Sequence, residues 1–277
     1  MARRDGTGLA GKVAFITGAG RGQGRSHTVR LAEEGADIIA VDICAPIDSV
    51  GYALAGTDDL EETARLVEKH GRRVVALQAD VRDLDGLRAA FAAGTGALGP
   101  CQIVVANAGV MTVGTFGEAA PRAWRDTIDV NLTGAWHTLQ VAVPPMVEAG
   151  NGGSVILISS SAGLKGHTDG SGGWDAYTAA KHGLVGLMRS YAWFLAPHKI
   201  RVNSIHPSGV PTMMTLNQAM GDYVTTHEAA AARLGNAMPV PWLDAEDISA
   251  AVAWLASDEA RYVTGVTLPV DAGAHIL

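Results

Sequence analysis

Tyr177 and Lys181 stand four residues apart in the stretch from Trp174 to Leu184, an Ala-rich, Leu-punctuated run that reads as a helix. Side chains at i and i+4 share one helix face, so the phenol and the ammonium can point into one cleft. A positive charge beside a phenol stabilises the phenolate and lowers its pKa, which makes a general base of a group that ordinarily titrates near pH 10. The same spacing also suits a solvated pair on a helix surface. Upstream, Ser159, Ser160 and Ser161 close the apolar run Ser154 to Ile158. A hydroxyl at a strand end beside an activated phenol suits carbonyl/alcohol chemistry that needs no metal.

The elements that must position these groups begin at Lys12. Lys12 to Thr17 is an apolar run that suits a buried parallel strand. It enters Gly18-Ala19-Gly20-Arg21-Gly22-Gln23-Gly24, then a helical stretch through Glu34 and a second strand from Asp37 to Asp42. Strand, glycine turn, helix and strand present backbone N–H groups and a helix N-terminus to a pyrophosphate. The glycines at 18, 22 and 24 depart from the common G-x-G-x-x-G spacing. Asp42 ends its strand where a carboxylate bonds ribose hydroxyls and repels a 2′-phosphate, which favours NAD over NADP. Arg21 weighs the other way, since a guanidinium pairs with such a phosphate, and Asp42 also suits a strand-end cap.

The connection after Asp42 is long. From 44 to 57 there is no periodicity, yet the segment carries Ile47, Val50, Tyr52 and Leu54. It reads either as a cover over the adenine end of a cofactor or as an insertion packed on the domain surface. Further strands are expected at Arg73 to Val81, Ile103 to Ala106, Ser154 to Ile158, Ile200 to His206 and Val266 to Val270. Helices are expected at about 58–71, from about Pro121 to Val147 with a break near Asn131, and from Asp244 to Ala256. Such alternation makes an α/β fold, a single Rossmann-type doubly wound parallel sheet of about seven strands with helices on both faces. Asp42, Asp80, Asn107 and Ser160 then share one crevice at the strand ends.

With 277 residues and 48% hydrophobic content the chain suits one domain spanning 1–277. A net charge of −7 argues against nucleic acid and anionic membranes as partners. The polar start, Met1 to Gly6, and the lack of any run of membrane-spanning length point to a cytoplasmic protein. Cys44 and Cys101 have no metal-ligand spacing, and no metal is expected.

Together Thr17-Gly18-x-x-x-Gly22-x-Gly24, Asp80, Asn107-Ala108-Gly109, Asn131, the serine cluster, Tyr177-x-x-x-Lys181 and Tyr262-Val263-Thr264-Gly265 resemble the short-chain dehydrogenase/reductase family over nearly the whole chain. The long segment after Asp42, with Gly22 to His27 and Tyr177 to Gly183, resembles its carveol-dehydrogenase-like, mycofactocin-associated branch. The resemblance implies Tyr177 as the proton acceptor or donor, Lys181 lowering its pKa and holding the nicotinamide ribose, Asn131 tied to Lys181 through water, and Ser160 stabilising the reacting oxygen. NAD would be held by Gly18, Arg21, Gly22, Gln23, Gly24, Asp42, Ile43, Asp80, Val81, Asn107, Ala108, Gly109, Ser159, Tyr177, Lys181, Pro207, Val210 and Thr212. The segment from Pro207 to about Trp242, with Met213, Met214, Leu216, Met220, Tyr223 and Met238, would be a pliable substrate lid. An alicyclic or terpenoid-like secondary alcohol or its ketone is the expected substrate. His167, His182 and His206 read as structural. Trp136, Trp193 and Phe194 read as core or subunit contacts, and the family's habit implies a homotetramer. An enclosed NAD recycled by an external electron acceptor is further implied. The rival reading is a non-catalytic NAD sensor or scaffold, with a sugar-nucleotide epimerase behind it.

Three departures from the family pattern stand out, one of them Asp271-Ala272-Gly273 where a double glycine is more usual. The stretch between Ser160 and Tyr177 is lengthened by the Gly-rich run Asp169 to Gly173, and Pro207 is followed by Ser208-Gly209.

Overall fold

The computed structural model describes residues 8–226 and 234–277. The polar start, Met1 to Gly6, and residues 227–233 of the expected lid lie outside the described residues. Seven strands, β1 (Val13–Thr17), β2 (Asp37–Asp42), β3 (Val74–Gln78), β4 (Ile103–Ala106), β5 (Gly153–Ile158), β6 (Ile200–Pro207) and β7 (Thr267–Val270), form one parallel sheet. Their order is β3-β2-β1-β4-β5-β6-β7. The order reverses between β1 and β4, and in an open α/β sheet the crevice at such a reversal is where ligands bind.

Alternate side chains on each strand feed two separate cores. Phe15, Ile39, Val104 and Leu157 face one side, where they meet Leu87, Phe91, Leu139, Leu184 and Leu195. Those partners come from α3 (Leu84–Leu98), α5 (Gly134–Ala149) and α6 (Gly172–Leu195). Phe15 and Phe91 meet edge to face with centroids 5.0 Å apart. Ala14, Ile16, Ile38 and Ile156 face the other side, against Leu31, Leu60, Ile248, Val252 and Leu255. These belong to α1 (Gly22–Glu33), α2 (Thr57–Lys69) and α8 (Ala245–Ala256). Helices therefore cover both faces of a sheet whose central strands β1 and β4 are almost wholly apolar.

Local chemistry sets where several helices begin. Asp83 accepts the N–H groups of Asp85 and Gly86 at 3.1 Å to open α3. Asp59 reaches back to the Gly56 N–H at 2.9 Å, and Asp247 to the Asp244 N–H at 3.2 Å. The break expected near Asn131 is a π-helical turn, Asp129–Thr133, between α4 (Ala120–Ile128) and α5. Such a turn adds a residue to the helical circuit and often marks a functional position.

Three sequence expectations are corrected. Helix α3 was not among the expected elements, because its Ala/Gly-rich run carries a weak apolar stripe. The third strand stops at Gln78, so Asp80 and Val81 lie in the turn beyond it. The segment after β6 holds a short helix, α7 (Gln218–Thr226), where only irregular chain was expected.

Candidate active site

At the carboxyl end of β1 the chain turns through Gly18 and Gly22, both at positive φ (67° and 54°), where a side chain would be strained. A Cβ on Gly24 would fall 1.8 Å from the Gly18 carbonyl oxygen, so α1 can pack onto the turn only with glycine there. Asn107 fastens the turn from β4, its Nδ2 donating to the carbonyls of Thr17 (3.0 Å) and Gly18 (3.1 Å). The Thr17 hydroxyl accepts the N–H groups of Asn107 and Ala108, each at 3.2 Å. No side chain caps the first turn of α1, which leaves its N–H groups for an anion.

Asp42 ends β2 beside this turn and accepts the Gly20 N–H at 2.8 Å and the Cys44 N–H at 3.4 Å. Burial raises its pKa, and the N–H groups of Gly20, Cys44 and Ile43 oppose the rise. Arg21, the expected counterweight to NAD, donates to the Ala53 carbonyl. Asp80 is engaged by Arg82, whose Nη2 donates to it at 2.7 Å.

A cleft of about 450 Å³ joins these groups to the catalytic candidates. Gly18, Arg21, Gly22, Gln23, Gly24, Asp42, Ile43, Asp80, Val81, Asn107, Ala108, Gly109, Ser159, Tyr177, Lys181 and Thr212 all line it. Pro207 and Val210 do not: both are buried, and the Val210 carbonyl is held by the Thr215 hydroxyl at 2.6 Å. The 44–57 segment supplies four lining residues that sequence reasoning left out of the site. Ile47, Tyr52, Leu54 and Ala55 line the cleft, while Ile47 also joins the core. Several apolar residues of the 44–57 segment thus face inward. Its apolar content was the signal.

The catalytic end is dry. Tyr177 and Lys181 are 8% and 4% exposed. Lys181 Nζ donates to the Ile158 carbonyl at 2.8 Å and sits 5.4 Å from the centre of the Tyr177 ring. Burial pushes the lysine down to about 7. It also pushes the Tyr177 phenol up, against a hydrogen bond with the Ser160 hydroxyl. Desolvation is the first cause of both shifts and acts on the two groups in opposite directions.

Asn131 is 1% exposed, and the π-helical turn carries it inward. Its Nδ2 donates to the carbonyls of Val110 and Thr127 at 2.8 Å, and its buried Oδ1 has no protein partner. A Cβ on Gly109 would fall 2.7 Å from that oxygen and 3.6 Å from Lys181 Nζ, so glycine keeps the space between them. Ser160 Oγ accepts the Ala162 N–H at 3.1 Å, whereas Ser159 Oγ turns to the Lys181 carbonyl at 2.9 Å. His206 joins the Ser160 carbonyl through Nδ1 and the Ser204 hydroxyl through Nε2, both at 2.8 Å. His182 bonds the Thr178 carbonyl at 2.9 Å, and the His167 carbonyl accepts the Thr178 hydroxyl at 2.6 Å.

The Gly-rich run before α6 is docked rather than slack. Asp169 accepts the N–H groups of Gly114 (3.0 Å) and Ser171 (2.7 Å), and a Cβ on Gly173 would collide with the Thr112 hydroxyl. Met111, Trp174, Met220 and Tyr223 pack around Tyr177, with Met214 alongside. Met213, Met214 and Leu216 reach the cleft, while Met238 and Trp242 stay exposed.

Comparison with known proteins matches this arrangement. The family profile described as enoyl-(acyl carrier protein) reductase matches residues 18–275. A (−)-trans-carveol dehydrogenase of Rhodococcus erythropolis is 48% identical over 277 residues, covering 97% of this chain and 99% of that protein. The chain belongs to the short-chain dehydrogenase/reductase family. It superposes on a carveol dehydrogenase from Mycobacterium avium in complex with NAD with a TM-score of 0.90, at 48% identity over 97% of this chain and 99% of that one. A short-chain dehydrogenase from Mycobacterium paratuberculosis bound to NAD gives a TM-score of 0.92 at 46% identity, with the same coverage. Among the described residues no cluster of His, Cys, Asp and Glu is arranged to hold a metal, and no helix is long and apolar enough to cross a membrane.

The buried lysine generates a prediction. Its folded pKa lies below the ordinary lysine value of 10.5, so the cost of burying its charge is full below about pH 7 and fades as pH rises toward 10.5. In protein stripped of nucleotide, Lys181→Met should raise stability at pH 7 by roughly 1–3 kcal/mol, with the gain shrinking at alkaline pH. Denaturant unfolding of both proteins from pH 6 to 10 checks this, and a gain that grows with pH would contradict it.

Proposed function

We propose that this short-chain dehydrogenase/reductase interconverts an alicyclic or terpenoid-like secondary alcohol and its ketone, with Tyr177 as general acid and base. The observation that carries the reading is the burial of Tyr177 and Lys181 together at one end of the cleft whose other end is the glycine turn and Asp42. NAD is the cofactor. The glycine turn, the uncapped start of α1 and the buried, unpartnered Gln23 Oε1 fit a dinucleotide, and Asp42 favours a free ribose hydroxyl over a phosphate. When bound, NAD supplies the carbon that accepts or returns hydride.

The protein's own groups handle the proton and the oxygen. In alcohol oxidation Tyr177 Oη takes the hydroxyl proton, and in ketone reduction it gives that proton back. Lys181, once charged, favours the phenolate. Ser160 donates to the reacting oxygen, and a fixed donor in a dry site is most effective where charge develops. Asn131, with its unpartnered Oδ1 facing the space beside Lys181, suits a water-borne proton path. Substrate choice falls to Met213, Met214 and Leu216 at the cleft mouth and to the Met111, Trp174, Met220 and Tyr223 cluster beneath. The carveol dehydrogenase relatives support a terpenoid-like ring.

Tyr177→Phe should bind NAD as the wild type does and lose alcohol oxidation by about 10²–10⁴-fold, the usual weight of general acid–base catalysis. Calorimetric NAD binding beside steady-state rates with cyclic secondary alcohols decides it. A variant that stays active removes Tyr177 from the chemistry, and a wild type that binds NAD but turns over nothing favours the sensor reading.

The 44–57 segment supports a slowly exchanging NAD that is reoxidised in place by an external acceptor, because its residues form part of the cofactor cleft's wall. NAD should then survive rapid desalting, and an artificial electron acceptor should be needed for sustained turnover. Prompt loss of NAD, with steady reduction of added NAD, would sink this.

A homotetramer built on α5 and α6 is supported by Trp193 and Phe194, 83% and 55% exposed, beside an apolar groove lined by Leu139, Val143 and Tyr191. Light scattering should return the mass of four chains. A monomer mass would end the idea.

A further inference from the structure

The 44–57 segment is tied down from several directions. Ser49 Oγ donates to Asp126 Oδ2 at 2.7 Å, Arg122 pairs with Asp48 at 2.6 Å, and Arg21 holds the Ala53 carbonyl. Between these ties the Tyr52 ring enters the cleft, and its Oη accepts the Met111 N–H at 3.2 Å. An N–H can only donate, so the phenol oxygen is the acceptor in that bond and its own proton is still to be given. Among the described residues nothing accepts it.

The position of this donor matters. Met111, whose N–H the phenol holds, packs in the same apolar cluster as Tyr177. Charge on Tyr177 is felt at Tyr52, which marks the two phenols as neighbours, and burial pushes Tyr52 up to about 12. Tyr52 is thus a neutral O–H at any working pH, a donor and never a competing base. Tyr52 is half-buried at the cleft wall, and a ligand oxygen that meets its unspent donor gains a hydrogen bond there.

We propose that Tyr52 is a ligand-binding residue of the cleft, its phenol donating a hydrogen bond to a hydroxyl or carbonyl oxygen bound beside Tyr177. This rests on reading the cleft as a dinucleotide and alcohol site. The oxygen belongs either to a ribose of the nucleotide or to the alcohol substrate, and the two sources separate experimentally.

Tyr52→Phe keeps the ring and removes only the hydroxyl. Ser49→Ala loosens the same segment without touching Tyr52 or the cleft. NAD affinity is measured calorimetrically on nucleotide-stripped protein without alcohol, and KM and kcat are measured with cyclic secondary alcohols at saturating NAD. Tyr52→Phe should weaken one of the two by about tenfold, while Ser49→Ala changes neither by more than about twofold. Weaker NAD binding assigns the bond to a ribose hydroxyl. A raised KM with unchanged NAD affinity assigns it to the substrate oxygen. The proposal fails if Tyr52→Phe matches wild type in both, or if Ser49→Ala reproduces its loss, since the phenol would then act only by anchoring the segment. Should wild type turn over no alcohol, the alcohol reading fails separately, and NAD binding alone decides whether the Tyr52 proposal stands.

Discussion

An amine buried against a strand-end carbonyl governs this molecule. Lys181 Nζ is nearly out of contact with solvent and is held by Ile158 at the end of β5. An ammonium in such a place pays heavily for lost hydration, and desolvation depresses its pKa so far that its charge becomes conditional. The phenol four residues earlier in α6 is subject to the same dryness and moves the opposite way. Any group that fills the cleft changes the surroundings of both, so occupancy and the protonation of this pair are coupled.

That coupling depends on where the fold brings its strands together. Asn107, at the end of β4, joins the glycine turn after β1, and Thr17 returns the bond to the backbone of Asn107 and Ala108. The crevice between β1 and β4 is thereby cross-tied at the point where a pyrophosphate would lie. Gly109, next along the chain, leaves the space between Asn131 and Lys181 open. One short run thus serves both the nucleotide end and the catalytic end of the cleft.

Most of this was legible in the amino-acid sequence because strands and glycines are local signals. β2 and β4 fall at the expected bounds, and the other strands differ by a few residues at their ends. Even the break near Asn131 showed as an interruption of helical pattern. Local side-chain ties to the backbone were not legible, such as the bond from the Thr215 hydroxyl to the Val210 carbonyl. Nor could a one-dimensional reading tell that Tyr52 reaches the catalytic end of the cleft, since its contact with Met111 spans 59 positions. How strongly burial opposes the Tyr177 phenolate and the Lys181 ammonium was not legible either. Spacing reports proximity, while dielectric environment is a property of the whole fold.

The π-helical turn at Asp129–Thr133 has a consequence for how the gene can vary. An α-helix advances about 100° per residue, so deleting one residue from the wide turn would restore a regular helix while swinging Asn131 away from Val110 and Thr127. The tidier helix would be easier to form and would no longer aim a side chain at the lysine. In this stretch, irregularity is what holds the amide against Val110 and Thr127.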